Sequence, residues 1–190
     1  MRLRHIPRSA FTARPWKNGA GTTHDIALLP EGAGHHDFDL RLALSPIPAA
    51  GPFSAFPGID RVITLVRGDA LTLDFDDGQK HLQKGQSLRF DSALAPHGTP
   101  APGGVEVINV MARRGVWRIR SCAITDTRRH SLTEAMRLFI VATHGTVTLS
   151  GPQGETSLAP FDAALCDGPG EVGMTGDTPA LVAYLEPGTD

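Results

Sequence analysis

Short apolar runs, each cut by glycine or proline, recur along the whole chain and decide what it can fold into. The runs are four to seven residues long, too short for ordinary helices, and read as strands. They fall at Phe38 to Leu44, Val62 to Val66, Ala70 to Phe75, Gln86 to Phe90 and Val105 to Met111. Further runs lie at Val116 to Ile119, Leu138 to Ala142, Thr146 to Leu149, Asp162 to Leu165 and Ala180 to Leu185. Several alternate: Leu71, Leu73 and Phe75 share one face, and Thr72 and Asp74 the other. Helical periodicity is poor. Ser131 and Glu134 have capping-box spacing, but only Ala135 and Met136 continue the pattern, which allows one short turn of helix.

The runs also repeat. Arg67-Gly68-Asp69-Ala70-Leu71-Thr72-Leu73 reads like His144-Gly145-Thr146-Val147-Thr148-Leu149, with the two glycines 77 residues apart. The same offset carries Lys84 to Phe90 onto Phe161 to Asp167. Near the ends the offset falls to 75, which sets Val105 to Val110 against Ala180 to Leu185. A unit of strand, glycine turn and strand used twice predicts two stacked cupin-like β-barrels in one compact, all-β chain. The halves are set at residues 1–120 and 121–190.

Hydrophobic residues make up 41% and charged residues 20%, which suits a chain with a buried core. A net charge of −2 gives no basic surface for nucleic acid. Met1 to Pro7 lacks the apolar stretch of a signal peptide, and no run approaches the roughly 20 apolar residues of a membrane helix. The expectation is a cytoplasmic protein without membrane or nucleic-acid partners, in which Cys122 and Cys166 are reduced, buried thiols. The eight histidines include no His-x-His on any strand, so neither metal nor other cofactor is expected.

Two stretches concentrate polar chemistry. Trp16-Lys17-Asn18-Gly19-Ala20-Gly21-Thr22-Thr23 sets a cation, an amide and two hydroxyls around glycines that allow close backbone approach. An ordinary polar turn would have the same composition. Gly51-Pro52-Phe53-Ser54-Ala55-Phe56-Pro57-Gly58 leads into Asp60 and Arg61 at a strand mouth. Arg61 suits a bound carboxylate, with a structural Asp60–Arg61 pair, or Arg61 bonding the turn carbonyls, as the alternatives, and Phe53 and Phe56 read as core.

Together these stretches resemble the HutD/Ves family. The resemblance rests on Trp16-Lys17-Asn18-Gly19-x-Gly-Thr-Thr, Phe38-Asp39-Leu40-Arg41-Leu42 leading to Ser45, Gly51 to Arg61, and Asn109-Val110-Met111-x-Arg113-Arg114. It implies a bicupin and a protein tied to histidine utilisation. It further implies a ligand such as formylglutamate, held by Trp16, Lys17, Asn18, Thr22, Thr23, Arg41, Ser45, Asp60, Arg61 and Asn109 in the first half. Three departures from the family pattern, Ala20, His24-Asp25 and Val107, touch ligand identity rather than fold. The first reading is therefore a binding protein that senses or buffers a carboxylate metabolite, with room for a homodimer. The alternative is a metal-free cupin enzyme such as a sugar epimerase or isomerase, with His24 and Asp25, or Lys17, as its base.

Overall fold

The computed structural model describes residues 1–16, 21–34 and 37–188. Strand β1 (Arg2–Ile6) precedes β2 (Thr12–Pro15), β3 (Thr22–Leu29), β4 (Leu40–Ile47), β5 (Gly51–Pro52) and β6 (Ile59–Arg67). Then come β7 (Ala70–Phe75), β8 (Gly78–Gln83), β9 (Ser87–Asp91), β10 (His97–Pro100), β11 (Val105–Arg113) and β12 (Trp117–Thr125). The last are β13 (Arg129–Leu132), β14 (Arg137–Ala142), β15 (Val147–Gly151), β16 (Gly154–Leu158), β17 (Ala163–Asp167), β18 (Gly170–Gly176) and β19 (Ala180–Pro187). Helix among the described residues is confined to the 3₁₀ turns Arg8–Ala10 and Ser92–Leu94. Where the sequence allows a helical turn after Ser131, the chain makes only a turn, with the Met136 N–H bonded to the Thr133 carbonyl.

Two compact units result. One is Thr12–Trp117; the other joins Met1–Phe11 to Arg118–Asp190. The first eleven residues, counted with the first half in the sequence reading, thus belong to the second unit, where β1 pairs with β17. In the first unit a six-stranded sheet, β2-β3-β4-β11-β6-β9, shares a core with a four-stranded sheet, β5-β10-β7-β8. Ile47, Ile63, Leu65 and Val107 of the larger sheet pack with Leu71, Leu73 and Leu82 of the smaller. In the second unit β1-β17-β14-β19-β12 and β13-β18-β15-β16 enclose Leu138, Ile140, Leu149, Leu158, Cys166 and Val172.

The repeat is written in the strand order. Reading β4, β11, β6, β9 as β12, β19, β14, β17, and β5, β10, β7, β8 as β13, β18, β15, β16, reproduces both sheets. This is the all-β, cupin-like fold expected from the sequence, built as two-sheet sandwiches with free edges. Pairing register corrects two details. Phe90 faces Arg61 and Cys166 faces Leu138, so Cys166, not Asp167, is the counterpart of Phe90. Leu65 faces Val107 and Ala142 faces Ala180, so Val107, not Val105, is the counterpart of Ala180. The β6–β11 ladder shifts register between Glu106 and Val107, and such a bulge is invisible to short sequence matching.

Candidate functional site

Alternation on the larger sheet of the first unit sends odd-numbered residues of β4, β6 and β11 inward. At one end the inner face is apolar, with Ile47, Leu65, Val105 and Val107 in the core. Toward the other end it turns polar in two steps. Asp25, Ala43, Asn109 and Ile63 stand opposite one another on four neighbouring strands. The next row sets Arg41, Met111, Arg61 and Phe90 side by side. Beyond it Met111 joins Phe38, Phe56 and Ile59 in a second apolar cluster. The polar groups therefore lie between two apolar regions, where charge is expensive unless it is answered.

Arg41 is answered. Its Nε donates to Asp25 Oδ1 at 2.7 Å, and the Arg14 guanidinium donates to Asp25 Oδ2. Asp25 shares the inner face with Thr23 by alternation, and β3 bulges only after it, at Ile26. Arg61 is not answered. It is 5% exposed, its Nε has no partner, and one terminal nitrogen makes only a long bond of 3.4 Å to the Ser54 carbonyl. Its guanidinium instead lies 5.5–5.6 Å from the ring centres of Phe53, Phe56 and Phe90. Burial, and next the positive charge of Arg41, pull the Arg61 guanidinium down to about 9. Two guanidinium groups thus share the Asp25 carboxylate, and the third, Arg61, has no carboxylate among the described residues.

A chain of hydrogen bonds closes the polar end. Trp16 Nε1 donates to Thr23 Oγ1 at 2.9 Å, Thr23 and Ser45 hydroxyls are 3.1 Å apart, and Asn109 Nδ2 donates to Ser45 Oγ at 3.3 Å. Asn109 Oδ1 and Arg41 Nη2 are buried without partners.

Of the residues singled out in the sequence, Trp16, Thr23, Arg41, Ser45, Arg61 and Asn109 come together here. Thr22 precedes Thr23 on β3 and faces the other way by alternation. Asp60 is also turned away. It accepts from Arg114 Nε at 2.6 Å, and Arg114 also bonds Asp91, so the structural Asp60–Arg61 pair does not form. Lys17 and Asn18 lie outside the described residues. Phe53 and Phe56, read as core, also face the Arg61 guanidinium. Arg14, Asp25 and Phe90 belong to the site although the sequence motifs left them out of the ligand set. His24 takes the opposite face from Asp25, which does not suit the pair to shared acid–base work.

The second unit lacks the equivalent charge. Its row corresponding to Arg61, Met111 and Phe90 is Leu138, Tyr184 and Cys166. The Tyr184 hydroxyl bonds His130 Nδ1 at 2.8 Å, and burial lowers the affinity of His130 for a proton. Among the described residues no three His, Cys, Asp or Glu side chains converge as a metal site would require. No helix there is long and apolar enough to cross a membrane. An open groove of about 490 Å³ along β8 and β9, lined by residues including Lys80, His81 and Leu88, holds none of the buried cations.

Comparison with known proteins places these features in context. The family model described as HutD matches residues 8–183. Protein Ves of Citrobacter koseri is 35% identical over 101 residues, 52% of each chain, so the match spans about half of that relative's length. A 21.2 kDa protein from the hutC 3′ region of Pseudomonas putida, described as uncharacterized, is 29% identical over 144 residues, 74% of this chain and 75% of that one. Among solved structures, HutD from Pseudomonas fluorescens SBW25, in a formate condition, superposes with a TM-score of 0.85 at 23% identity, covering 99% of this chain and 100% of that one. A conserved protein of unknown function from Pseudomonas aeruginosa PAO1 gives 0.84 at 26% identity, with full coverage of both chains.

Proposed function

Because the chain belongs to the HutD family, we propose that its first unit binds a small carboxylate metabolite of histidine or amino-acid catabolism, formylglutamate being the reference ligand. One observation carries this reading: Arg61 is a buried cation without a counter-ion among the described residues, enclosed by three aromatic rings. A buried guanidinium left unpaired costs several kcal/mol, and a carboxylate is the partner whose two oxygens match its fork. The role is recognition, in sensing or buffering, rather than turnover. Of the bases named for an epimerase, His24 lies on the opposite face, Asp25 is taken up by Arg14 and Arg41, and Lys17 lies outside the described residues.

Calorimetric titration with formylglutamate, glutamate, urocanate and a neutral sugar tests the proposal. Binding of carboxylates but not of the sugar is expected, weakened about ten- to a hundred-fold in Arg61→Met. Binding of the sugar alone, or carboxylate binding untouched by Arg61→Met, defeats it.

A further inference from the structure

Three polar atoms on the inner face of the first unit are buried without a hydrogen-bond partner among the described residues: Arg41 Nη2, Arg61 Nε and Asn109 Oδ1. Their side chains belong to residues 4%, 5% and 7% exposed. Two of the atoms are donors on cations, and the third is a neutral acceptor. A bare carboxylate answers only the first two. Its oxygens accept, so against Asn109 Oδ1 they would set acceptor against acceptor. That carbonyl oxygen would stay unsatisfied, a costly state for a buried group.

On its other side the Asn109 amide meets a run of hydroxyls. Asn109 Nδ2 donates to Ser45, Ser45 is bonded to Thr23, and Thr23 accepts from the Trp16 indole. Register fixes the spacing as well. Asn109 lies one strand across and one inward-facing position along from both Arg41 and Arg61, a diagonal of roughly 7–8 Å between main chains. A donor one or two bonds from a carboxyl group held by the arginines falls within reach of Oδ1.

We infer that Asn109 sets the specificity of this site, and that the ligand is a carboxylate bearing an N–H or O–H donor beside its carboxyl group. The inference rests on the carboxylate reading above and adds a demand which that reading does not make.

Matched acids test it on the full chain at pH 7: glycolate against acetate, and lactate against propionate, titrated by calorimetry or by chemical-shift perturbation. Each pair shares its charge and differs by one hydroxyl. The hydroxy acid is expected to bind about tenfold more tightly. Asn109→Leu should retain carboxylate binding and lose the preference, and Asn109→Ala should repeat the result if the leucine variant folds poorly. Equal binding of both members by the wild-type protein overturns the role of Asn109 and leaves the carboxylate reading standing. If the wild-type protein binds neither these acids nor formylglutamate, the carboxylate reading falls, and this inference with it.

Discussion

Arg41 and Arg61 stand on either side of Met111 in one row of the sheet, yet only Arg41 has a carboxylate, that of Asp25 at 2.7 Å. Two equally buried arginines thus have opposite electrostatic standing. Arg41 is part of the scaffold. Arg61 is a charge held ready, its guanidinium pulled down to about 9 by burial and by Arg41.

Replacing Arg61 by methionine should therefore stabilise the protein while weakening anion binding about ten- to a hundred-fold. Removing a buried, unpaired charge in favour of an apolar group of similar volume is expected to add about 1–4 kcal/mol. At about 2–4 °C per kcal/mol this raises the Tm by several degrees. Thermal unfolding with and without formylglutamate measures both effects. The wild-type Tm should rise with ligand, and that of Arg61→Met should rise less. A lower Tm for the variant would make Arg61 a structural residue.

Asp25 should behave in the reverse way. Asp25→Asn leaves Arg41 buried without its counter-charge, an expected loss of about 3–5 kcal/mol. Adding Arg41→Met to Asp25→Leu should recover much of that loss, because the pair is then removed as a unit. Urea unfolding of the single and double variants gives the coupling energy directly. Additive losses would show that Arg14 or another group is the main partner of Asp25.

The inward spacing of Arg41 and Ser45, of Arg61 and Ile63, and of Val107 and Asn109 was legible in the sequence, since alternation alone puts each set on one face. The repeat and the all-β class were legible for the same reason. Asp25 was harder. It shares the face of Thr23 by alternation, but its partner depends on the β3–β4 register, which has no sequence signature. Phe90 reaches Arg61 across the β6–β9 pairing from 29 positions away. The docking of β1 on β17 is a long-range event that sequence order conceals. What stayed hidden is thus what tertiary pairing decides.

Asp162 gives the second unit an acid-sensitive fastening. Its carboxylate accepts from the Arg8 and Ala159 N–H groups and bonds His5 Nε2 at 2.9 Å. Burial pushes its pKa up, but these hydrogen bonds outweigh burial and hold the carboxyl below its ordinary value. A depressed carboxyl stabilises the fold above the unfolded value of about 3.9, and that stability is lost as pH falls through the folded value. Asp162→Asn should cost about 2 kcal/mol at pH 7 and flatten the acid limb of a urea-unfolding series run from about pH 5 down through the folded value. An unchanged acid limb would assign the sensitivity elsewhere, with Asp91 and Glu186, also lowered, the next to test.

The two thiols should separate cleanly. Cys166 is buried, and burial, then the negative charge of Asp167, push its thiol up to about 12. Cys122 is half-buried. At pH 8 iodoacetamide should modify Cys122 in the folded protein and reach Cys166 only in denaturant. Mass spectrometry of the two peptides reads the result, and native labelling of Cys166 would show that the second core opens.

Asp60 and Arg61 are neighbours whose side chains leave the strand on opposite faces, and the difference should be measurable. Asp60 meets Arg114, which also holds Asp91, and all three side chains are substantially exposed. Exposed pairs of this kind contribute about 0–1 kcal/mol, since water screens the attraction and ordering long side chains offsets it. Asp60→Asn should therefore change stability by less than about 1 kcal/mol and leave carboxylate affinity within twofold. Raising the salt concentration should erase even that small effect. Arg61→Met, one residue away, should weaken binding about ten- to a hundred-fold. If Asp60→Asn instead weakened binding as much as Arg61→Met, the ligand would have to lie on the outer face of the strand, and the inner-face site would be wrong.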